Sequence, residues 1–278
     1  MNIPFPLPIT KMSGAGNDFI IIDHRSLFIP ESIHRQFAKA VCRRRFSAGA
    51  DGLILIEHSE HHDFCWKFYN SDGSVGEMCG NGARCAARYA YRHGLVDRKM
   101  RFATGAGTIE AEIIGEPEAV RIKMTEPHSY QKAEPIQLGT KRYEIFSINT
   151  GVPHAVLFYK ATSAAAEDWG RQIRHDKQFL PAGTNVNFVW IDNTGDLHVT
   201  TYERGVEEVT MACGTGVVAS VLTAARHGLT ASPATAITAG NEQLIVSFQQ
   251  DGERFSNIYL QGEARFIYDG TLQQEALL

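Results

Sequence analysis

Two short stretches decide how this chain folds: Met78-Cys79-Gly80-Asn81-Gly82-Ala83-Arg84 and Ala212-Cys213-Gly214-Thr215-Gly216-Val217-Val218. Each holds Cys-Gly-x-Gly, and each runs on into a stretch rich in helix formers. The two cysteines lie 134 residues apart, 213 minus 79. At that offset Arg92-His93-Gly94-Leu95 falls on Arg226-His227-Gly228-Leu229, and Ala48-Gly49 falls on Ala182-Gly183. A shared offset across separated segments points to two homologous halves. The 278 residues accommodate two domains of ordinary size. The boundaries expected from the repeat are 1–126 and 127–265.

Both halves carry the same coarse pattern. Apolar runs bounded by Gly, Asn and Asp read as strands: 19–22, 53–56, 119–124, 155–159, 197–202 and 244–248. Helices are expected over 83–92 and 217–226, each stopping at His-Gly. The second is apolar nearly all round, through Val217, Val218, Ala219, Val221, Leu222 and Ala225, which predicts a buried helix. Amphipathic helices are expected near 31–45 and 164–176. One buried helix wrapped by strands, twice over, predicts an α+β protein of two pseudo-symmetric domains. Gly14-Ala15-Gly16 precedes a strand and opens no helix, so a dinucleotide fold is disfavoured.

Composition narrows the function. The formal net charge is −4, and the longest basic run is Arg43-Arg44-Arg45. Such a chain is a poor match for a phosphate backbone, so no nucleic-acid partner is expected. No apolar run approaches the ~18 residues of a membrane span, and the first residues do not read as a signal peptide. A cytoplasmic protein is expected. Five cysteines, an odd number, do not suggest a disulfide framework. Cys42, Cys65 and Cys85 read as packing residues.

The two repeated cysteines read differently. A helix start presents unpaired N–H groups and a partial positive charge. That setting favours a thiolate, and it binds a carboxylate or a developing oxyanion. Two pseudo-symmetric copies place two thiols on one bound substrate. Inverting a carbon centre needs a proton removed from one face and one delivered to the other, which a thiolate and a thiol accomplish together. Racemisation or epimerisation without a cofactor or metal is the chemistry expected. A non-catalytic amino-acid-binding module is the alternative of another class.

The chain resembles the diaminopimelate epimerases of the pyridoxal-phosphate-independent amino-acid racemase superfamily. The resemblance rests on Lys11-Met12-Ser13-Gly14-Ala15-Gly16-Asn17-Asp18-Phe19, Asn70-Ser71-Asp72-Gly73-Ser74, Met78 to Cys85, Gly151-Val152-Pro153-His154, Asn185-Val186-Asn187-Phe188, Tyr202-Glu203-Arg204-Gly205 and Ala212 to Gly216. It implies two domains, each a curved, mostly antiparallel sheet around a central helix. The active site would lie in the cleft between them, and the tail from about 266 to 278 would return to the first domain. It implies Cys79 and Cys213 as the acid–base pair. Asn17, Asn70, Gly80, Asn81, Asn187, Glu203, Arg204, Gly214 and Thr215 would contact substrate, with His154 in support. Diaminopimelate as substrate and a homodimer are implied too. Arg204 offers a fork for a distal carboxylate, and Glu203 an acceptor for a distal ammonium. Val152 stands where many family members carry Asn, and Gly52 where many carry Gln. That departure bears on distal recognition and motivates a second reading, a racemase of another amino acid.

Overall fold

The computed structural model describes residues 3–76, 78–115 and 118–278. The chain forms two compact units. One runs to Ile122 and includes Gly262–Leu278; the other is Lys123–Gln261.

Four α-helices punctuate the strands: α1 (His34–Val41), α2 (Gly80–Arg92), α3 (Ser163–Arg174) and α4 (Gly214–Arg226). A 3-10 turn, Glu31–Ile33, leads into α1, so the first expected amphipathic stretch forms only a short helix. The helices α2 and α4 have 13 residues each and begin three residues earlier than the apolar pattern alone predicts. Their N-caps are Cys79 and Cys213. Both end at a histidine followed by a left-handed glycine, Gly94 at φ 67° and Gly228 at φ 68°, a conformation that favours residues without a Cβ.

The first unit builds from strand Leu7–Gly14, antiparallel to both Asn17–Asp23 and Arg265–Leu272. Asn17–Asp23 then runs parallel to Gly52–Glu57, with α1 as the crossover. Gly52–Glu57 pairs antiparallel with Phe64–Asn70. That strand pairs parallel with Lys99–Thr104, and α2 makes this crossover. The second unit repeats the order. Phe146–Asn149 is antiparallel to Pro153–Phe158, which is parallel to Asn185–Ile191. That strand is antiparallel to Leu197–Tyr202, itself parallel to Ala234–Thr238. Helices α3 and α4 are the crossovers. Parallel pairs need such long connections, so each mostly antiparallel sheet is mixed wherever a helix intervenes.

Strand Gly52–Glu57 is buried along its whole length, because both of its faces are covered. Leu53 and Leu55 join the cluster containing Phe37, Ala38 and Val41 of α1. Ile54 points the other way, toward Gly82 of α2. In the second unit Val186 and Phe188 pack with Ala166 and Ile173 of α3. Period-two alternation therefore turns Asn185 and Asn187 toward the other face, where Asn187 lies at Gly216 of α4. On α4 every residue from Gly216 to Ala225 is buried, as its all-round apolar sequence predicts. No described helix is long and apolar enough to cross a membrane.

Candidate active site

The first half-site forms where strand ends meet the start of α2. Cys79 is extended, at φ −144° and ψ 115°, and the Gly82 N–H donates to its Sγ at 3.4 Å. An N–H aimed at sulfur from a helix N-terminus stabilises the thiolate form. The glycines permit close packing there. A Cβ on Gly14 would stand 2.9 Å from the Asn81 carbonyl oxygen, and one on Gly82 would press on Ile54, Trp66 and Phe19 at 3.3–3.5 Å.

A chain of oriented amides leads away from the helix start. Arg84, fully buried, donates to Asn81 Oδ1 at 2.7 Å. Asn81 Nδ2 donates to Asn17 Oδ1 at 2.7 Å, and Asn17 Nδ2 donates to Asp51 Oδ2 at 3.2 Å. A guanidinium only donates and a carboxylate only accepts. The two ends therefore fix which way each amide faces. Asp51 accepts the Asp18 backbone N–H at 3.1 Å, and Asp18 accepts that of Asp51 at 2.9 Å. Arg44 bonds both carboxylates, and Lys11 pairs with Asp18 at 2.9 Å. Burial would raise the Asp18 carboxyl, but Arg44 and Lys11 outweigh it and hold it at about 2. Asn70 lies opposite Gly52 in register and donates to Ser74 Oγ at 2.9 Å. Asn17 and Asn81 thus join the helix start capped by Cys79, and Asn70 lies on the neighbouring strand opposite Gly52; the sequence does not signal the network of Asp18, Arg44, Asp51 and Arg84. Arg84 reads there as an ordinary helix arginine, and only its position three after Asn81 hints otherwise.

The second half-site is built mainly from uncharged groups, with Glu203 and Arg204 beside them. Cys213 caps α4 at φ −119° and ψ 107°, with Thr215 Oγ1 3.5 Å from its Sγ. Burial pushes this thiol up to about 12. The Glu203 carboxylate adds to that push, while Thr215 and the Gly216 amide oppose it. Glu203 is itself raised by burial against hydrogen bonds from Thr210 and Cys213. His154 is fully buried. Burial lowers it to about 3, aided by Arg204. Asn187 Nδ2 lies 3.1 Å from His154 Nδ1 and donates to the Ala155 carbonyl at 3.1 Å; Thr201 Oγ1 donates to Asn187 Oδ1 at 2.9 Å. Both N–H groups of the Asn187 amide, and its oxygen, are thus engaged within this unit. Arg204 donates its backbone N–H to Asn185 Oδ1 at 2.8 Å and Nη1 to Ala182 O at 3.1 Å. Asn185 was not picked out from the sequence. Its signal was the Asn-Val-Asn-Phe alternation, which puts both asparagines on one strand face.

The other thiols separate from this pair. Cys42 and Cys85 are buried in the packing and pushed up to about 12 by desolvation, with no carboxylate bonded to either among the described residues. Cys65 is half-buried, unlike a core residue, and donates to the His58 carbonyl at 3.3 Å. Among the described residues His24, His34 and Glu57 group closely enough to suggest a cation. Their ring nitrogens already bond Glu57, the Ile29 N–H, Tyr69 and the Ile29 carbonyl. That donor set is consumed by the fold.

The sequence profile described as diaminopimelate epimerase matches residues 9–129 and 146–267. A diaminopimelate epimerase of Hydrogenobaculum sp. is 40% identical over 96% of this chain and 99% of that relative. One of Chlorobaculum tepidum is 42% identical over 94% and 99% respectively. Among solved structures, a PhzF-family phenazine biosynthesis protein of Bacillus anthracis superposes with a TM-score of 0.74 at 13% identity, covering 95% of this chain and 98% of that one. A hydroxyproline epimerase of Agrobacterium vitis gives 0.67 at 14% identity, covering 97% and 93%. The last two show the fold alone. With the profile matched in both halves and relatives near 40% identity end to end, this chain belongs to the diaminopimelate epimerase family.

Proposed function

We propose that this protein interconverts LL- and meso-2,6-diaminopimelate, a step in lysine and peptidoglycan precursor synthesis, with Cys79 and Cys213 as its two bases. The observation that carries the reading is the equivalent placement of both thiols, each the N-cap of a 13-residue helix. One sulfur, as thiolate, takes the proton from Cα. The other, as thiol, gives its proton to the opposite face, and the roles exchange in reverse. The charge left on the α-carboxylate as the Cα–H bond breaks is stabilised by N–H groups at the helix starts, over Gly80–Asn81 and Gly214–Thr215.

The Gly82 N–H supports Cys79 as the resting thiolate, and burial beside Glu203 supports Cys213 as the resting thiol. Asn17, Asn70 and Asn81 hold the reacting amino acid, the amides of Asn17 and Asn81 oriented between Arg84 and Asp51 and that of Asn70 by Ser74. Arg204 and Glu203 meet the distal end. Asn187 and His154 support the second helix start. The two units act as halves of one duplicated enzyme, which works as a cytoplasmic homodimer.

The direct test is incubation with LL-diaminopimelate in deuterium oxide. Deuterium uptake at Cα with appearance of the meso form is expected, and loss of both in Cys79→Ala and in Cys213→Ala. Full activity in either variant overturns the two-thiol mechanism. Val152 favours one competing reading, a racemase of another amino acid. Chiral analysis over a panel of L-amino acids decides for it if diaminopimelate is inert and another substrate turns over.

A further inference from the structure

The interior-facing side of strand Asn185–Ile191 carries one side chain that the packing does not call for. Asn187 is fully buried, and its immediate sequence neighbours Val186 and Phe188 belong to the apolar cluster on the opposite face. Its orientation is dictated. The atom 3.1 Å from the Ala155 carbonyl oxygen must be nitrogen, since a carbonyl only accepts. The other amide atom, the oxygen, takes the Thr201 hydroxyl hydrogen at 2.9 Å. The same nitrogen lies 3.1 Å from His154 Nδ1. Facing an N–H, Nδ1 must be the bare, accepting nitrogen. The ring hydrogen of the neutral imidazole therefore sits on Nε2. Nε2 is buried and has no hydrogen-bond partner among the described residues. Buried donors without acceptors are uncommon, and one held by such a relay calls for a reason.

We propose that Asn187, braced by Thr201, is a positioning residue that locks His154 in its Nε2–H tautomer, so that the imidazole serves the reaction as a hydrogen-bond donor and not as a base. This rests on the epimerase reading and deepens it. The relay packs closely on α4. A Cβ on Gly216 would stand 2.3 Å from Asn187 Oδ1, 3.0 Å from Thr201 Oγ1 and 3.3 Å from Cys213 Sγ. The lock therefore sits directly against the helix start that carries the second thiol. The low titration of His154, caused by burial and then by Arg204, is consistent with a ring that stays neutral.

The test reads the ring itself. Protein labelled with nitrogen-15 in histidine is compared with labelled His154→Gln to assign the His154 signals. The wild type is expected to show a bare Nδ1 and a protonated Nε2. A proton on Nδ1 overturns the proposal. In Asn187→Asp the new carboxylate accepts where the amide donated, so the hydrogen should move to Nδ1. The turnover number should then fall by about a hundredfold, with KM within about threefold. A folded Asn187→Asp with an unchanged ring, or with full turnover, overturns the proposal. If that variant does not fold, Thr201→Val takes its place. There the Ala155 carbonyl still orients the amide, so the Nε2–H ring is expected to persist while the loosened brace lowers turnover; a proton on Nδ1, or full turnover, overturns the proposal. The spectra need no substrate. Inert diaminopimelate would thus defeat the functional reading and leave the tautomer question to its own answer.

Discussion

The starts of α2 and α4 share length, capping residue, stop signal and strand partners, yet they are built from opposite materials. Around Cys79 the support is ionic. A buried arginine, two amides and a pair of carboxylates form one polarised line that ends on Arg44 and Lys11. Around Cys213 the support is a neutral line of hydroxyl, amide and imidazole, with one raised carboxylate against the sulfur. A duplicated scaffold has thus been given two electrostatic environments. Two thiols in identical settings would have the same proton affinity. In the proposed two-base reaction one proton is held between them, and the asymmetry would decide where it rests.

The largest effect expected is the one that breaks the pair. Alanine at either cysteine should lower epimerisation by about a thousandfold or more. The comparison itself is sharpened by timing alkylation with iodoacetamide and locating the label by mass spectrometry. Cys79 should react at least about tenfold faster than Cys213 near neutral pH, since the thiolate is the nucleophile. Equal rates would show that the two environments do not divide the proton.

Next comes Glu203→Gln. Burial is the main reason that Cys213 is pushed up to about 12, and the Glu203 carboxylate is the second. Removing that negative charge favours the thiolate, so Cys213 should alkylate several-fold faster at pH 8 while turnover falls by about a hundredfold. A rate of Cys213 labelling no higher than wild type would mean that burial alone sets its proton affinity.

The repeat made the overall plan legible in the sequence. The offset of 134 carries α2 onto α4 residue for residue, from Gly80–Arg92 to Gly214–Arg226. Strands such as Leu197–Tyr202 appear where the apolar runs place them. Gly-x-Gly has poor intrinsic helix propensity, so the apolar pattern starts each helix late, and the cap overrides it. The motifs held both thiols and most polar contacts, but not their supports. Asp18, Arg44 and Asp51 look like ordinary surface charges until parallel pairing of Asn17–Asp23 with Gly52–Glu57 brings them together. Arg84 has no polar signature of burial in a single sequence. Such partners are set by long-range register, which local patterns do not carry.

The glycines at the third helical position test the same comparison sterically. Gly82→Ala gains up to ~1 kcal/mol of helix propensity and meets only apolar side-chain atoms at 3.3–3.5 Å. Its net effect on stability should stay within about 1 kcal/mol. Gly216→Ala gains the same propensity but drives a methyl to 2.3 Å from an amide oxygen pinned by Thr201. It should cost about 1–3 kcal/mol net and lower activity. Urea unfolding of both variants checks this, and equal stabilities would show that Asn187 yields easily.

The smallest effect separates the two supports by pH. Asp18 is held at about 2 in the folded protein, because Arg44 and Lys11 outweigh the upward push of burial. A carboxyl lowered below its unfolded value near 3.8 favours the fold at every pH above that value. The contribution drains away as pH falls through about 4 toward 2, where both states become protonated. Arg44→Ala removes part of it. The Arg44 side chain is 58% exposed, so solvent screens the pair and the cost should be only about 1 kcal/mol at neutral pH. That deficit relative to wild type should shrink between pH 4 and pH 2. Thr201→Val, in the neutral half-site, removes a hydrogen bond worth about 1 kcal/mol that involves no carboxylate. Its deficit should stay level down to about pH 4 and change below that only as His154, lowered to about 3 by burial, itself takes up a proton. Unfolding midpoints for both variants across that window separate ionic from neutral support, and parallel curves would mean that the carboxylate pair is not what distinguishes the first helix start from the second.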